Sequence, residues 1–204
     1  KVIIINSSYG MPSKIEAIVS IARLYGIQLI EDAASSLGSS FNNKKCGTFG
    51  DFGIISFNKN KIVTAFGGGV LICKSEEQKN KAIYLATQAK EKHHYYQHSE
   101  IGYNYRMSDV LAGIGVAQIN ILDKLIDLRR KKNQFYQDLF NEVDGIRVFK
   151  EPNSDYFSNH WLSSIVIDKD ITGFSGEDMR LHLEKDTIES RPLWKPMHLQ
   201  PVFK

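Results

Sequence analysis

Cysteine is scarce in this 204-residue chain, where only Cys46 and Cys73 occur. The pair shows neither metal-ligand spacing nor a secretory context, so a reducing, cytoplasmic location is expected. Long apolar runs are also missing, since no segment approaches the ~18 residues that a membrane span requires. The net charge of +3 is too small and too evenly spread to predict binding to nucleic acid or to a membrane surface.

The chain has no initiator methionine and opens on an apolar strand at residues 2–5, which needs neighbouring strands. We therefore expect a piece of a longer protein whose beginning is missing. With 42% hydrophobic and 24% charged residues, the chain can bury a sizeable core and fill one large domain or parts of two.

The first thirty-two residues follow a strand, helix, strand pattern. Its parts are a strand at 2–5, the turn Gly10-Met11-Pro12, a helix capped by Ser13 with Glu16 three residues later and ended by Gly26, and a strand at 27–30. The helix has an apolar stripe made of Ile15, Ile18, Val19, Ala22 and Leu24. This βαβ unit predicts a parallel sheet with a right-handed crossover. Ligands of such sheets gather at the carboxyl ends of the strands, where Asp32 falls.

The rest of the pattern predicts an α/β fold with a mostly parallel sheet and the start of a smaller α+β domain. The further elements are strands at 52–56 and 69–73, a helix at 76–89, one long helix at 108–140 opened by a Ser108-Asp109 cap, a strand at 160–167, a helix at 175–185 and a strand at 188–191. We expect part of a large domain at 1–107, a long connecting helix at 108–143 and a partial small domain at 144–204.

Lys61 stands at the end of Ser56-Phe57-Asn58-Lys59-Asn60-Lys61, directly after a predicted strand and twenty-nine residues beyond Asp32. A lysine and an aspartate presented in this way suit a pyridoxal phosphate enzyme, in which the lysine forms a Schiff base and the aspartate pairs with the pyridine nitrogen. Taken alone, each has a simpler interpretation, because a lysine after a strand is usually solvated and an aspartate there is usually a turn or cap residue.

Several motifs together resemble the DegT/DnrJ/StrS group of sugar-nucleotide aminotransferases, which have the fold type I architecture of aspartate aminotransferase. The motifs are Tyr9-Gly10 with Pro12, Glu31-Asp32-Ala33-Ala34, Gly47-Thr48-Phe49-Gly50-Asp51-Phe52-Gly53, Ser56-Phe57-Asn58 with Lys61, Gly102-Tyr103-Asn104-Tyr105-Arg106-Met107, and Arg191-Pro192-Leu193-Trp194-Lys195-Pro196-Met197-His198. Within the group, the chain is most similar to enzymes that aminate C4 of UDP-linked 4-keto-6-deoxy-N-acetylglucosamine in bacillosamine-type pathways.

The resemblance implies that pyridoxal 5'-phosphate is held by Lys61 as an internal aldimine and that glutamate supplies the amino group. Lys61 would then act as general acid and base, and Asp32 would keep the pyridine nitrogen protonated. Ser56 matches a hydroxyl that contacts the cofactor phosphate. Asn104 matches an asparagine that reaches the phosphate from the neighbouring subunit, which implies a homodimer. Where the group commonly has glutamine or histidine against the phenolic oxygen, this chain has Ser35, which reaches less far.

Other interpretations remain open at this point. Trp194 and His198 are equally suited to lining the sugar-nucleotide site and to a structural role. The cluster His93-His94-Tyr95-Tyr96 with His98 lacks cysteines or carboxylates in ligand spacing, so we predict no metal site and interpret it as a substrate-facing or dimer-facing loop. The chain alone could be a non-catalytic remnant, or the protein could bind the cofactor as a sensory or regulatory member. The dehydratase branch of the group has histidine in place of the lysine, and Lys61 argues against it.

Overall fold

The computed structural model describes residues 1–203, which form two compact units. The first comprises residues 1–131 and 151–162, and the second comprises residues 132–150 and those from 163 onwards. These bounds differ from the predicted division at 108 and 144, since residues 151–162 belong to the first unit, and the assignment to a large and a small domain stays a prediction. Among the residues described, no helix is both long enough and apolar enough to cross a lipid bilayer.

The described residues form short strands and several helices. The strands are β1 (Val2–Asn6), β2 (Gln28–Asp32), β3 (Ser40–Phe41), β4 (Lys44–Lys45), β5 (Phe52–Ser56), β6 (Gly69–Cys73), β7 (Ile146–Val148), β8 (Tyr156–Phe157) and β9 (Ile165–Ile167). The helices are α1 (Ile15–Leu24), α2 (Glu76–Ala86), α3 (Asp109–Ile119), α4 (Leu122–Phe140), α5 (Lys169–Thr172) and α6 (Gly176–Lys185).

The main sheet of the first unit has the strand order β1-β2-β5-β6. Its first three strands run parallel and β6 pairs antiparallel with β5, so the prediction of a mostly parallel sheet is confirmed. One face of the sheet is covered by α1, through Ile15 and Ala22, which pack with Ile5 and Leu29. A second small sheet pairs β3 with both β4 and β8.

A larger apolar cluster lies behind β5 and is covered by α3 and the first half of α4. Its buried members are Ala33, Cys46, Ile55, Phe57, Val63 and Ala65. Burial of the Cys46 thiol, reinforced by the charge of nearby Glu31, raises its pKa to about 12, so the sulfur stays a neutral core group. Gly53 is required in β5 because a Cβ there would overlap the backbone carbonyl of Gly47.

The ends of α1 show one correct and two incorrect predictions. Gly26 has φ +59°, and the N–H groups of Gly26 and Ile27 bond to the carbonyls of Arg23 and Ala22, which ends the helix as expected. Ser13 is not the cap, because the helix begins one residue later than predicted, with Lys14 at the cap position and no side-chain cap hydrogen bond. Leu24 lies outside the apolar stripe and is 77% exposed.

Two helices also differ from the prediction. α2 ends at Ala86, not Ala89, because the carbonyls of Leu85 and Ala86 accept from the N–H groups of Tyr103 and Tyr105 instead of from a continuing helix. The long helix predicted from 108 to 140 is two helices, since a turn at residues 120–121 separates α3 from α4. Its start is confirmed, with Ser108 Oγ accepting from the N–H of Leu111.

The strand predicted at 160–167 is confirmed only for its last three residues, which form β9 and pair with β7 in the second unit. The preceding stretch cannot extend because His160 has φ +44° and side-chain hydrogen bonds fix its neighbours. The strand predicted at 188–191 is absent, and these residues are irregular. The helix predicted at 175–185 is α6, and Ser175 and Asp178 form its capping box.

Candidate active site

The carboxyl ends of the three parallel strands meet at one edge of the main sheet. Asn6, the last residue of β1, lies in register with Asp32, the last residue of β2. Asp32 is in turn paired with Ile54, two residues before Ser56 at the end of β5. This edge is where ligands of open parallel sheets bind, so the polar side chains there form the candidate site.

Asp32 is held in a defined orientation. Its Oδ2 accepts a hydrogen bond from Asn6 Nδ2 (2.7 Å), and its Oδ1 accepts from the backbone N–H of Ala34 (3.1 Å). Because each oxygen has its own donor, the carboxylate cannot rotate without losing a bond. Asn6 was not predicted as a site residue, although a polar residue ending a parallel strand is the same signal that identified Asp32.

Lys61 brings a half-buried amine to this region. Its Nζ donates to Ser35 Oγ (3.1 Å) and lies 4.2 Å from the centre of the Trp161 ring. Burial lowers the pKa of the Lys61 amine from its ordinary value, and the nearby Asp32 carboxylate partly opposes this shift. The structure therefore brings Lys61, Asp32 and Ser35 together, and their roles toward a cofactor stay a prediction.

Ser56 and Asn104 take different places. Ser56 Oγ accepts from the N–H of Asn58 (3.2 Å), a bond that does not use its hydroxyl hydrogen. Asn104 is exposed and forms an isolated bridge with Thr87. Among residues 1–203, the Asn104 side chain makes no hydrogen bond to the Lys61 group, so its role across a dimer interface stays a prediction.

Trp194 and His198 belong to the second unit, where both side chains are exposed. His198 lies in a single 3-10 turn at Met197–Leu199. Their participation in a sugar-nucleotide site stays a prediction.

Residues 158–161, which sequence reasoning missed, contact the site although they lie far from Lys61 along the chain. Asn159 is fully buried, and its Nδ2 donates to the carbonyls of Ser35 (3.1 Å) and Leu37 (2.9 Å). Trp161 Nε1 donates to the carbonyl of Asn60 (2.6 Å), beside Lys61. No local sequence pattern predicts these contacts, because they join residues more than 100 positions apart in the chain.

A charged cluster fixes this segment to α4. Glu151 accepts from Arg130 (2.5 Å), His160 Nε2 (3.1 Å) and the N–H of Ser158 (3.2 Å). Burial alone would raise the pKa of Glu151, but the hydrogen bonds from His160, Arg130 and Ser158 together hold it well below its usual range.

The histidine-rich loop does not form a metal cluster in the described part of the chain, where no group of three or more His, Cys, Asp or Glu side chains could hold an ion. His93 Nε2 lies 3.4 Å from a Glu91 oxygen, and His98 Nδ1 lies 2.8 Å from the carbonyl of Gln88. These contacts order an exposed loop. A concavity of about 270 Å³ lies near the start of β2, away from the Lys61 group, and its lining includes Arg23 and the ion pair of Lys74 with Asp51 (3.3 Å).

Comparison with solved structures identifies the fold. The chain is similar over its whole length to the crystal structure of an aminotransferase, TlmJ from Streptoalloteichus hindustanus, with a TM-score of 0.92 and 25% identity, covering 55% of TlmJ. By its fold, the chain is therefore similar to the aminotransferases. More narrowly, the chain belongs to the DegT/DnrJ/EryC1/StrS aminotransferase family, whose family model matches residues 1–204.

Three curated relatives illustrate the family. The chain is 45% identical to EpsN of Bacillus subtilis (strain 168), named among the pyridoxal phosphate-dependent aminotransferases, over 100% of this chain and 51% of that protein. It is 34% identical to GDP-perosamine synthase of Escherichia coli O157:H7, over 96% of this chain and 52% of that protein. It is 33% identical to UDP-4-amino-4,6-dideoxy-N-acetyl-beta-L-altrosamine transaminase of Campylobacter jejuni (strain 81-176), over 74% of this chain and 41% of that protein. The chain thus spans about half the length of the curated relatives it matches.

Proposed function

We propose that this chain carries the catalytic lysine of a pyridoxal phosphate-dependent aminotransferase that transfers an amino group from glutamate to C4 of a UDP-linked 4-keto-6-deoxy sugar. The observation that carries the proposal is the half-buried Lys61 amine, whose pKa is lowered by burial. It lies near the Asp32 carboxylate, which Asn6 holds by a hydrogen bond. An amine in that state is a usable nucleophile and base nearer to neutral pH than an exposed lysine is.

The side chains present fit pyridoxal 5'-phosphate. Lys61 would hold the cofactor through Nζ, Asp32 would keep a proton on the pyridine nitrogen, and Ser56 would use its hydroxyl hydrogen toward the phosphate. The fit rests on the donor set: one amine, one carboxylate already held by two donors, and one hydroxyl whose hydrogen is not used by Asn58. When bound, the cofactor supplies an aldehyde that condenses with amines and a ring that withdraws electrons from the reacting carbon.

The chain's own residues account for proton transfer. Lys61 Nζ can take a proton from a substrate carbon when neutral and return one when protonated, so the lowered pKa keeps both forms accessible. Ser35 Oγ, 3.1 Å from that nitrogen, can accept a hydrogen bond from the amine between proton transfers. We expect Asn104 to act from the neighbouring subunit of a homodimer, and its exposure supports that role.

The choice of substrate rests on similarity to known enzymes. Resemblance to the bacillosamine-type enzymes favours a UDP sugar, as does the name of the C. jejuni relative. The name GDP-perosamine synthase makes a GDP sugar the alternative to include. Trp194 and His198, both exposed, are the side chains we expect against the nucleotide sugar.

The first test is covalent labelling. The purified chain is mixed with pyridoxal phosphate, reduced with borohydride and digested, and the labelled peptide is identified by mass spectrometry. We expect the label on Lys61, its loss in Lys61→Ala, and its retention in Lys59→Ala, which changes an exposed lysine two positions away. Labelling spread evenly over exposed lysines would refute the assignment.

The second test is turnover. With glutamate as donor, UDP-, GDP- and dTDP-linked 4-keto-6-deoxy sugars are compared, and 2-oxoglutarate release is measured. We expect the UDP sugar to give the fastest reaction. A Lys61 label without turnover on any sugar would contradict the aminotransferase proposal and favour a cofactor-binding regulatory role.

A further inference from the structure

The Lys61 amine lies between two walls. One is the Ser35 hydroxyl, 3.1 Å from Nζ, and the other is the face of the Trp161 indole, whose centre is 4.2 Å away. An aromatic face carries negative electrostatic potential and attracts an ammonium group. Both walls therefore favour the same position of the amine.

One short segment fixes both walls. Trp161 is 1% exposed, and its Nε1 donates to the carbonyl of Asn60, the residue before Lys61. The N–H of Trp161 donates to Asn159 Oδ1 (2.8 Å), and Asn159 Nδ2 donates to the carbonyl of Ser35 (3.1 Å). The contacts form a closed ring from Lys61 through Ser35, Asn159 and Trp161 back to Lys61.

A lysine side chain has four rotatable bonds and loses considerable conformational entropy when its amine is held in one place. Catalysis by such a group requires that it stay near the reacting atoms during the steps in which it is not bonded to them. A surface lysine would instead move into solvent.

We propose that Trp161 is a positioning residue for Lys61: its ring and the Ser35 hydroxyl form a resting site for the amine whenever Lys61 is not attached to the cofactor, and Asn159 fixes both walls. The inference rests on the proposed role of Lys61. It differs from a core-filling role for Trp161, because core filling depends on volume whereas the resting site depends on an aromatic face.

The contact is tested first without cofactor and without changing Trp161. Trp161 and Trp194 are the two tryptophans of the chain, so Trp194→Phe isolates the emission of Trp161. Titration from about pH 6 to about pH 11 should give an emission step as the Lys61 amine loses its proton, below the ordinary lysine value of about 10.4. In that background, Lys61→Met should remove the step and Lys59→Met should keep it.

One outcome of this titration would contradict the proposal. If the emission curve of Lys61→Met matches that of the parent, the amine does not occupy the indole face in solution. This arm stays informative if Lys61 takes no cofactor, an outcome that would refute the proposed function alone.

The role in catalysis is tested by Trp161→Phe and Trp161→Met. Phenylalanine keeps an aromatic face, whereas methionine keeps apolar bulk without one. In the cofactor-loaded chain we expect the single-turnover rate with glutamate to fall about tenfold in Trp161→Met and about twofold in Trp161→Phe, with KM unchanged in both. Borohydride labelling of Lys61 should persist in both.

Equal losses in the two variants would show that volume alone matters, and so would overturn the positioning role. If either variant fails to fold, as judged by circular dichroism, Ser35→Ala and Ser35→Thr test the opposite wall. The threonine variant should keep the Lys61-dependent emission step at its original pH, and the alanine variant should shift it to lower pH because the ammonium loses its hydroxyl acceptor.

Discussion

Asn159→Asp is the substitution that most sharply tests how the site is assembled. Asn159 is fully buried, and its amide nitrogen donates to the carbonyls of Ser35 (3.1 Å) and Leu37 (2.9 Å). Aspartate has the same shape and keeps the oxygen that accepts from the N–H of Trp161 (2.8 Å). When ionised, however, it has no donor for either carbonyl.

The cost follows from the bonds lost. Each buried acceptor left without a donor costs about 1–3 kcal/mol, so the folded state should lose about 2–6 kcal/mol at pH ~7. Burial and two facing carbonyls disfavour the charge, so the pKa of the new carboxyl should rise above its unfolded value of about 3.9. Below about pH 3.9 the new carboxyl is protonated in both the folded and the unfolded state, and its O–H can donate to one of the two carbonyls. The deficit should therefore be smallest in acid and grow as pH rises through the folded pKa.

The assay is urea unfolding at pH ~4.5 and pH ~7, followed by Trp161 emission in a Trp194→Phe background. Asn153→Asp is the matched control, because Asn153 is exposed and its Oδ1 accepts from the N–H of Asp155, a bond that a carboxylate keeps. We expect the control to match its parent at both pH values. A pH-independent deficit in Asn159→Asp, or one no larger than that of the control, would refute the reasoning.

Three further predictions follow from named contacts. In Asp32→Asn the pKa of the Lys61 amine, already lowered by burial, should fall further without the carboxylate that opposes the shift, as the pH dependence of reductive methylation measures; a rise would contradict this. The depressed pKa of Glu151 means that its contribution to stability is present above about pH 4.3 and is lost as pH falls below it. In Glu151→Gln the free energy of unfolding in urea should therefore decrease less with falling pH than in the parent, and an unchanged decrease would contradict this. Gly53→Ala should destabilise by more than ~3 kcal/mol because its Cβ meets backbone, whereas Gly113→Ala, on an open helical face, should stabilise by about 0.5–1 kcal/mol; similar thermal shifts in the two would be the contrary result.

The parallel sheet and the end of α1 were predictable because their signals are local. Apolar strands of the right length, Gly26 after the helix and a polar residue at the end of β2 each record a nearby backbone requirement. Lys61 could be proposed as a site residue for the same reason, since its position after β5 and its spacing from Asp32 can be read along the chain.

The break between α3 and α4 was not predictable from periodicity, because apolar residues continue through it. Leu122 and Leu125 pack on the same cluster as Ile114, so the pattern resembles one helix. The difference lies in backbone hydrogen bonds, since the N–H of Ile121 bonds to the carbonyl of Gln118, three residues back.

The segment that follows Asn159 was predicted as part of a strand at 160–167 for a related reason. His160-Trp161-Leu162 has strand-like composition, but a left-handed His160 and the hydrogen bonds of Asn159 to residues over 120 positions away determine its conformation. Long-range bonds of this kind leave no periodic signal in a single sequence. The wall of the candidate site that they build was accordingly missed, whereas its charged groups could be proposed from local patterns.

The short side chain of Ser35, where the family commonly has glutamine or histidine, agrees with the position of the Lys61 amine. The family resemblance leads one to expect a longer side chain there, and a serine reaches less far toward a cofactor. In this structure the amine of Lys61 occupies the space between the serine hydroxyl and the Trp161 ring, 3.1 Å from one and 4.2 Å from the centre of the other. A glutamine or histidine would extend beyond the position of that hydroxyl and into the space that the amine fills. The short side chain at 35 and the aromatic ring at 161 are therefore complementary, and a change at either position should be felt through Lys61.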